Sequence, residues 1–160
     1  MQLTNSTNIN EIHDQSLIQL QEMILHSDHD RIKTLSTAEG IAKELYQIEI
    51  ISPDEYHLIS RYIKRALRDP SSVTAGEYPQ FAMRNELRPV TISDKEIQQI
   101  QRVVPQEIRR DLTRCFRKED IPFIHGLEGR VQTLLNLGLI AEDQGRMLMS
   151  SFNDKKASFN

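Results

Sequence analysis

Apolar residues recur at helical spacing in several stretches of this chain, and no stretch shows the alternation expected of a half-buried strand. The clearest stretches are residues 39–63 and 128–152, each of which reads as two helices joined by a tight corner. The pattern predicts an all-α fold, a compact bundle of about seven helices that contains these two hairpins as related units.

The two hairpins align without a gap at a separation of 89 residues. Five aligned pairs are identical: Glu39 and Glu128, Gly40 and Gly129, Leu45 and Leu134, Ile51 and Ile140, and Asp54 and Asp143. Glycine inside a helix costs about 1 kcal/mol relative to alanine, so its recurrence indicates close backbone approach. We expect the hairpins to pack together or to occupy equivalent places in a pseudo-symmetric bundle.

Capping signals mark the starts of helices. A capping box, in which a serine and a glutamate three residues later satisfy each other's backbone amides, is predicted at three positions. These are Ser36 with Glu39, Ser52 with Glu55, and Ser93 with Glu96. Asn10 is predicted to cap the first helix. Pro105 is predicted to separate two helices, the second of which ends at Lys118.

The chain is expected to form one domain with short flexible ends. The predicted units are a flexible N-terminus at residues 1–9, a single helical domain at 10–153 and a flexible tail at 154–160. Within the domain, residues 69–92 contain three of the six prolines and no sustained period, which predicts a long irregular connection. Its apolar residues Tyr78, Phe81 and Met83 must either pack on the core or form an exposed patch.

Composition narrows the class of protein. At 160 residues, with 38% hydrophobic and 27% charged residues, the chain is typical of a soluble globular domain. The single cysteine, Cys115, excludes an internal disulfide, suits a reducing compartment and is expected in the core. There is neither a secretion signal nor an apolar run that could span a bilayer, so we predict a cytoplasmic protein without membrane contact.

Charge is unevenly distributed along the chain. The net charge is −7 in residues 1–60, +6 in residues 61–118 and −2 in residues 119–160. The basic middle contains one helical stripe and a second, looser one. The first stripe is Arg61, Lys64, Arg65 and Arg68; the second is Arg109, Arg110, Arg114, Arg117 and Lys118. These nine residues are the predicted partner-binding site.

The leading interpretation is a small adaptor or regulator that binds a protein with an acidic surface, with homodimer formation left open. A nucleic-acid-binding transcriptional regulator is the first alternative, since a basic face also suits a phosphate backbone. The second is an inhibitor or immunity-type protein that uses its acidic N-terminal third, at Glu11, Asp14 and Glu22. The plainest alternative is that the basic stripe is only a solvated face.

Signals for chemistry are weak. His26, Asp28, His29 and Asp30 form the one plausible metal-ligand cluster, but Lys33 replaces the glycine that an EF-hand loop requires, and a polar loop is favoured. No phosphate-binding, nucleophile-elbow or zincin motif occurs. His57 and His125 have no pattern around them that assigns a general base. We therefore expect neither an enzyme nor a cofactor.

Overall fold

A computed structural model describes residues 3–4, 7–27, 30–84, 87–88 and 91–159 of the chain. The described residues form six α-helices and no strand, which confirms the predicted all-α class. The helices are α1 (Ile9–Leu25), α2 (Arg31–Gln47), α3 (Pro53–Arg68), α4 (Asp94–Thr113), α5 (Ile121–Asn136) and α6 (Glu142–Ala157). None of these described helices is both long and apolar enough to cross a membrane.

The described part of the chain has six helices, and not about seven, because α4 runs through Pro105 without interruption. Proline removes one backbone hydrogen bond and costs about 3 kcal/mol inside a helix. Ile97, Val104 and Ile108 are buried along α4, and their packing offsets that cost. The break predicted at Pro105 is therefore wrong. The helix also ends before Lys118, which belongs to a short 3₁₀ turn.

The capping box predicted at Ser36 is wrong as well, because α2 begins more than one turn earlier, at Arg31. Leu35 and Ala38 are fully buried, so tertiary packing extends the helix past the serine toward its N-terminus. Ser36 lies inside the helix as a buried residue. Packing of an apolar face has overridden a local capping signal here.

The other two capping boxes are confirmed. At the start of α3 the Glu55 N–H donates to Ser52 Oγ at 3.1 Å, and the Ser52 N–H donates to Glu55 Oε1 at 2.8 Å. At the start of α4 the same two bonds join Ser93 and Glu96 at 3.2 and 3.0 Å. Both helices therefore begin where the sequence predicts.

Beyond both predicted domain limits, described residues contact the fold or continue its helices. Asn8, and not the predicted Asn10, is the N-cap of α1. Before this helix, Leu3 is buried and its N–H donates to the Leu137 carbonyl at 2.6 Å. At the other end, α6 continues to Ala157. The domain limits at residues 10 and 153 stay a prediction.

Glycines set the distance between α2 and α5, which form the most extensive helix contact of the fold. A Cβ atom on Gly40 would lie 1.7 Å from the Gly126 carbonyl oxygen, and one on Gly129 would lie 2.2 Å from the Thr37 carbonyl oxygen. The two contacts are reciprocal, since Gly129 and Gly126 follow Gly40 and Thr37 by 89 residues each. The predicted close backbone approach at both glycines is confirmed.

The corners after α2 and α5 close with the same hydrogen bonds. The left-handed residue is Glu49 in the first corner and Gly138 in the second, with φ of 64° and 70°. In each corner the following N–H donates to the carbonyl five residues earlier, Leu45 at 2.9 Å and Leu134 at 2.8 Å. This is the Schellman arrangement, which ends a helix and reverses the chain.

The connection between α3 and α4 is largely irregular, as predicted, apart from a 3₁₀ turn at Pro70–Ser72. Tyr78 is buried, with its ring centroid 5.6 Å from that of Tyr62 and 6.1 Å from that of Phe81. Met83 is exposed. Two of the three apolar residues therefore anchor the connection to the core. Residues 85, 86, 89 and 90 of this segment lie outside the described residues.

Candidate binding surface and cleft

Three cations of α3, Arg61, Lys64 and Arg68, are exposed on one side of the helix and are called the α3 cationic face below. Their spacing of three and four residues brings them together on the helix surface. The opposite side of α3 buries Ile63 and Ala66. Within the described part of the chain, none of the three cations forms an ion pair.

Arg65, the remaining cation of the predicted stripe, is engaged inside the fold. Its Nη2 donates to Glu77 Oε2 at 3.1 Å, and its guanidinium carbon lies 5.9 Å from the centroid of the Tyr62 ring. The Tyr62 hydroxyl also donates to the Glu77 carbonyl at 2.9 Å. Arg65 thus helps to hold the α3–α4 connection against α3 and is less free than its neighbours to meet a partner.

The second predicted set, called the α4 basic set or α4 set below, lies at the end of α4 and just beyond it. All five of its residues are exposed: Arg109, Arg110, Arg114, Arg117 and Lys118. The helix α4 packs against α5, whereas α3 packs against α2, so the two basic sets are carried by different helix pairs. Phe116 lies within the second set and is 75% exposed.

A cleft of about 290 Å³ opens between α2, α3 and α5. Its apolar lining includes Ile63, Leu67, Phe123 and Leu127, and Phe123 is 47% exposed. Lys64 also lines the cleft, so the α3 cationic face and the cleft share a residue. A concave apolar site with a few polar groups is the usual form of a small-molecule site.

Glu39 is the one carboxylate among the described residues that line the cleft. Its Oε1 accepts hydrogen bonds from the Tyr56 hydroxyl at 2.9 Å and from Ser60 Oγ at 3.1 Å. Burial and the neighbouring Glu39 charge raise the pKa of Tyr56. The other carboxylate oxygen of Glu39, Oε2, is buried and accepts no hydrogen bond from any described residue. Such an oxygen is costly to leave without a donor.

A buried ionic cluster surrounds Arg130, which lines the cleft from α5. Arg130 Nη1 donates to Asp111 Oδ2 at 3.1 Å and Nη2 donates to Gln47 Oε1 at 2.8 Å. Its Nε lies 3.6 Å from Oε1 of Glu44, which is fully buried. Burial raises the pKa of Glu44 to about 7 despite the attraction of Arg130.

This cluster is not among the predicted features, although the sequence contains a signal for it. Glu44 lies beside Leu45, and Arg130 beside Val131, at positions where a helical pattern places apolar residues. A charge at such a position is almost never fully buried without a partner. Two opposite charges on the buried sides of neighbouring helices therefore predict a pair.

A second buried network ties α1 to α3 through His13. Its Nδ1 lies 2.7 Å from Asp14 Oδ1 and its Nε2 lies 2.6 Å from Glu55 Oε2. Arg84 contributes a hydrogen bond from Nη2 to Glu55 Oε1 at 2.8 Å. Burial acts to raise the pKa of Glu55, but hydrogen bonds from Ser52 and His13 and the Arg84 charge lower it overall.

This network includes Asp14, one of the three carboxylates named for the acidic-surface alternative. Asp14 is only 7% exposed, and its Oδ1 also accepts a hydrogen bond from the Arg84 N–H at 2.8 Å. Glu11 and Glu22 are exposed. Asp14 is therefore less accessible to a partner than Glu11 and Glu22, and the acidic-surface alternative itself stays a prediction.

The predicted metal-ligand cluster is only partly described. Asp28 and His29 lie outside the described residues. His26 is exposed with Nε2 3.7 Å from Glu22 Oε2, and Asp30 is exposed at the start of α2. Among the described residues, no group of three or more His, Cys, Asp or Glu side chains is placed to hold a metal ion.

The remaining candidate groups are the thiol of Cys115 and the imidazoles of His57 and His125, and the structure shows the surroundings of each. Cys115 is buried, and burial together with the Asp120 charge raises the pKa of its thiol. His57 is exposed beside the Tyr56 ring. His125 Nδ1 lies 3.4 Å from Glu128 Oε1, and burial lowers the pKa of this histidine.

Comparisons with protein-family models, with curated proteins and with solved structures found no match. What the chain does is therefore inferred from its own surface chemistry. The α3 cationic face, the α4 basic set and the cleft are the three features from which that inference starts.

Proposed function

We propose that this chain is a small adaptor or regulator that binds an acidic protein surface through the α3 cationic face. The observation that carries the proposal is the position of three exposed cations, without ion pairs in the described part of the chain, beside an apolar cleft. Like charges three or four residues apart destabilise a helix slightly, so this arrangement has a cost that partner binding would offset.

The cleft supplies an apolar contact, which a purely ionic surface lacks. Interfaces gain most of their affinity from a few buried apolar or aromatic anchors, while charges at the rim steer association. Phe123 is exposed at the cleft, and Lys64 is both a cleft residue and a member of the cationic face. An acidic partner with one apolar anchor would therefore meet complementary groups at a single place.

A matched pair of charge-reversal variants tests this proposal. Arg61→Glu/Lys64→Glu/Arg68→Glu changes the cationic face, and Arg109→Glu/Arg110→Glu/Arg114→Glu applies the same charge change to the α4 set. Each protein is used as bait in nuclease-treated lysate, and captured proteins are identified by mass spectrometry. We expect the first variant alone to lose the proteins that the wild type captures. Retention of those proteins by the first variant would refute the proposal.

Nucleic-acid binding is a second candidate, and the exposed Phe116 among the α4 cations favours it. Single-strand binders combine a basic path with aromatic rings on which bases stack. This candidate predicts that the protein binds a labelled oligonucleotide. The logarithm of the association constant should fall linearly with the logarithm of the salt concentration. It also predicts that Phe116→Ala and the α4 triple reversal weaken binding, whereas the α3 reversal leaves it unchanged. Absence of a gel shift at low salt excludes it.

We also propose that the two hairpins are related copies. Support comes from the matching Schellman corners at Glu49 and Gly138 and from the reciprocal contacts of Gly40 and Gly129. The cationic face has no counterpart in the second copy, where Arg61 and Lys64 align with Ser150 and Asn153, so function is placed where the copies differ.

The proposal assigns no reaction to the chain and places it in the cytoplasm. A free, buried Cys115 suits a reducing compartment.

A further inference from the structure

A groove borders each of the two corners, the first groove where α2 turns into α3 and the second groove where α5 turns into α6. Their volumes are about 690 Å³ and about 420 Å³. Five residues of the second groove follow residues of the first groove by 89 positions: Leu135, Gly138, Ile140, Ala141 and Glu142. The two grooves therefore lie at matching places in the two hairpins.

The first groove is partly occupied by Arg84 from the connection between α3 and α4. Arg84 Nη1 donates to the Ile50 carbonyl at 3.4 Å, and Nη2 donates to Glu55 Oε1 at 2.8 Å. Arg84 itself lines the space that remains, whereas Ile50 and Glu55 do not. The guanidinium group thus lies between its two partners and the groove.

The second groove has no arginine among its described lining residues. Leu139 and Gln144 follow Ile50 and Glu55 by 89 positions, and both of them line the second groove. The positions that Arg84 covers in the first hairpin are therefore open in the second. Gln144 is half-buried and Glu142 is exposed, so both side chains can be reached from solvent.

The charge of the second groove suits a cation. Glu142 is the one charged residue among its described lining residues, and it forms no ion pair within the described part of the chain. Gln144 replaces the carboxylate of Glu55, but Glu142 supplies one where the first hairpin has Pro53. This carboxylate also offsets the positive end of the α6 dipole, which would otherwise repel a cation.

We propose that the second groove binds an arginine in an extended segment of a partner protein, as the first groove holds Arg84. The guanidinium group donates to the side chains of Gln144 and Glu142, since its planar fork of donors can serve two acceptors at once. Its aliphatic stem packs on Leu135. The adaptor would then have two contact surfaces of opposite charge, because this groove is separate from the α3 cationic face.

A synthetic peptide with the sequence of residues 79–87, blocked at both ends, is the probe, and its Arg84→Ala counterpart is the control. Each is titrated into the isotope-labelled full chain, and backbone amide signals are followed by NMR. We expect the arginine peptide to shift the signals of Leu135, Gly138 and Glu142. The alanine peptide should bind at least about tenfold more weakly, because it loses charge-assisted hydrogen bonds. Equal affinity of the two peptides, shifts only outside the groove, or no shift at millimolar peptide overturns the proposal.

Variants locate the contact. Glu142→Gln should weaken binding of the arginine peptide about fivefold or more. Glu119→Gln is the matched control, since Glu119 is an exposed carboxylate at the other end of α5, and it should leave the affinity unchanged. Gln144→Glu restores the carboxylate that Glu55 supplies in the first hairpin, and it should tighten binding about tenfold. Wild-type affinity in folded Glu142→Gln and Gln144→Glu proteins overturns the site assignment.

Analytical ultracentrifugation distinguishes a partner protein from a second copy of this chain. We expect a monomer. A dimer that Glu142→Gln dissociates would assign the second groove to the connection of a second copy and overturn the partner assignment. These outcomes are independent of the partner-capture experiment, because no residue of the second groove belongs to the α3 cationic face.

Discussion

Gly40 and Gly126 meet backbone to backbone where α2 crosses α5, so closely that a Cβ atom on Gly40 would lie 1.7 Å from the Gly126 carbonyl oxygen. Gly40→Ala must therefore separate the two helices and disturb the main contact of the fold. We expect a loss of about 3 kcal/mol or more in the free energy of unfolding, measured by urea denaturation.

The control for that substitution is Gly76→Ala. A Cβ atom at Gly76 would meet nothing within 4 Å, and the substitution should change stability by less than about 0.5 kcal/mol. Equal effects of the two substitutions would show that the helices do not approach as closely as described.

Glu49 ends α2 in a left-handed conformation that Gly138 adopts at the equivalent corner. A non-glycine residue there costs about 1–2 kcal/mol. Glu49→Gly should relieve that strain and stabilise the protein by about 1 kcal/mol, whereas Gly138→Ala should destabilise it by a similar amount. Thermal unfolding of both variants checks the prediction, and a loss of stability in Glu49→Gly would contradict it.

Glu44 should make the protein less stable as the pH rises. Its pKa is about 7 when folded and 4.5 in the reference state, so its contribution is fully present below pH 4.5 and is lost as the pH passes 7. The difference corresponds to about 3 kcal/mol at most. Glu44→Gln, which cannot ionise, should be more stable than the wild type at pH 8. Urea denaturation should show that this advantage shrinks toward pH 5.

Glu55 should act in the opposite direction. Its pKa is lowered in the fold, so its contribution is present above the unfolded pKa and is lost as the pH falls through the folded value. Glu55→Gln should cost about 2 kcal/mol at pH 7, the usual value of hydrogen bonds to a charged group. The same denaturation series should show the two proteins converging in acid. A constant difference at every pH would exclude the carboxylate as the cause.

The fold was predictable where local signals and packing agree. Ser52 and Glu55 form their capping box because α3 also buries Ile59 and Ile63 from that starting point. Ser36 has the same signal but lies inside α2, because the buried Leu35 extends the apolar face beyond it. A local motif therefore places a helix end only when the apolar pattern changes at the same residue.

The site was less predictable, because its features depend on which helices meet. The sequence identifies Arg61, Lys64 and Arg68 as cations on one side of a helix, and they are exposed together. It cannot show that Arg65 turns to Glu77, or that Glu39 faces a cleft shared with α5. Those relationships join residues far apart in the chain, which periodicity does not encode.

Site-specific photo-cross-linking tests the central claim most directly. A photoreactive residue is introduced in place of Arg61 or, in a second protein, in place of Arg114, and each is irradiated in cells. If the α3 cationic face is the contact surface, a protein adduct should form from position 61 and none from position 114. An adduct from position 114 alone, or from neither position, would contradict the account.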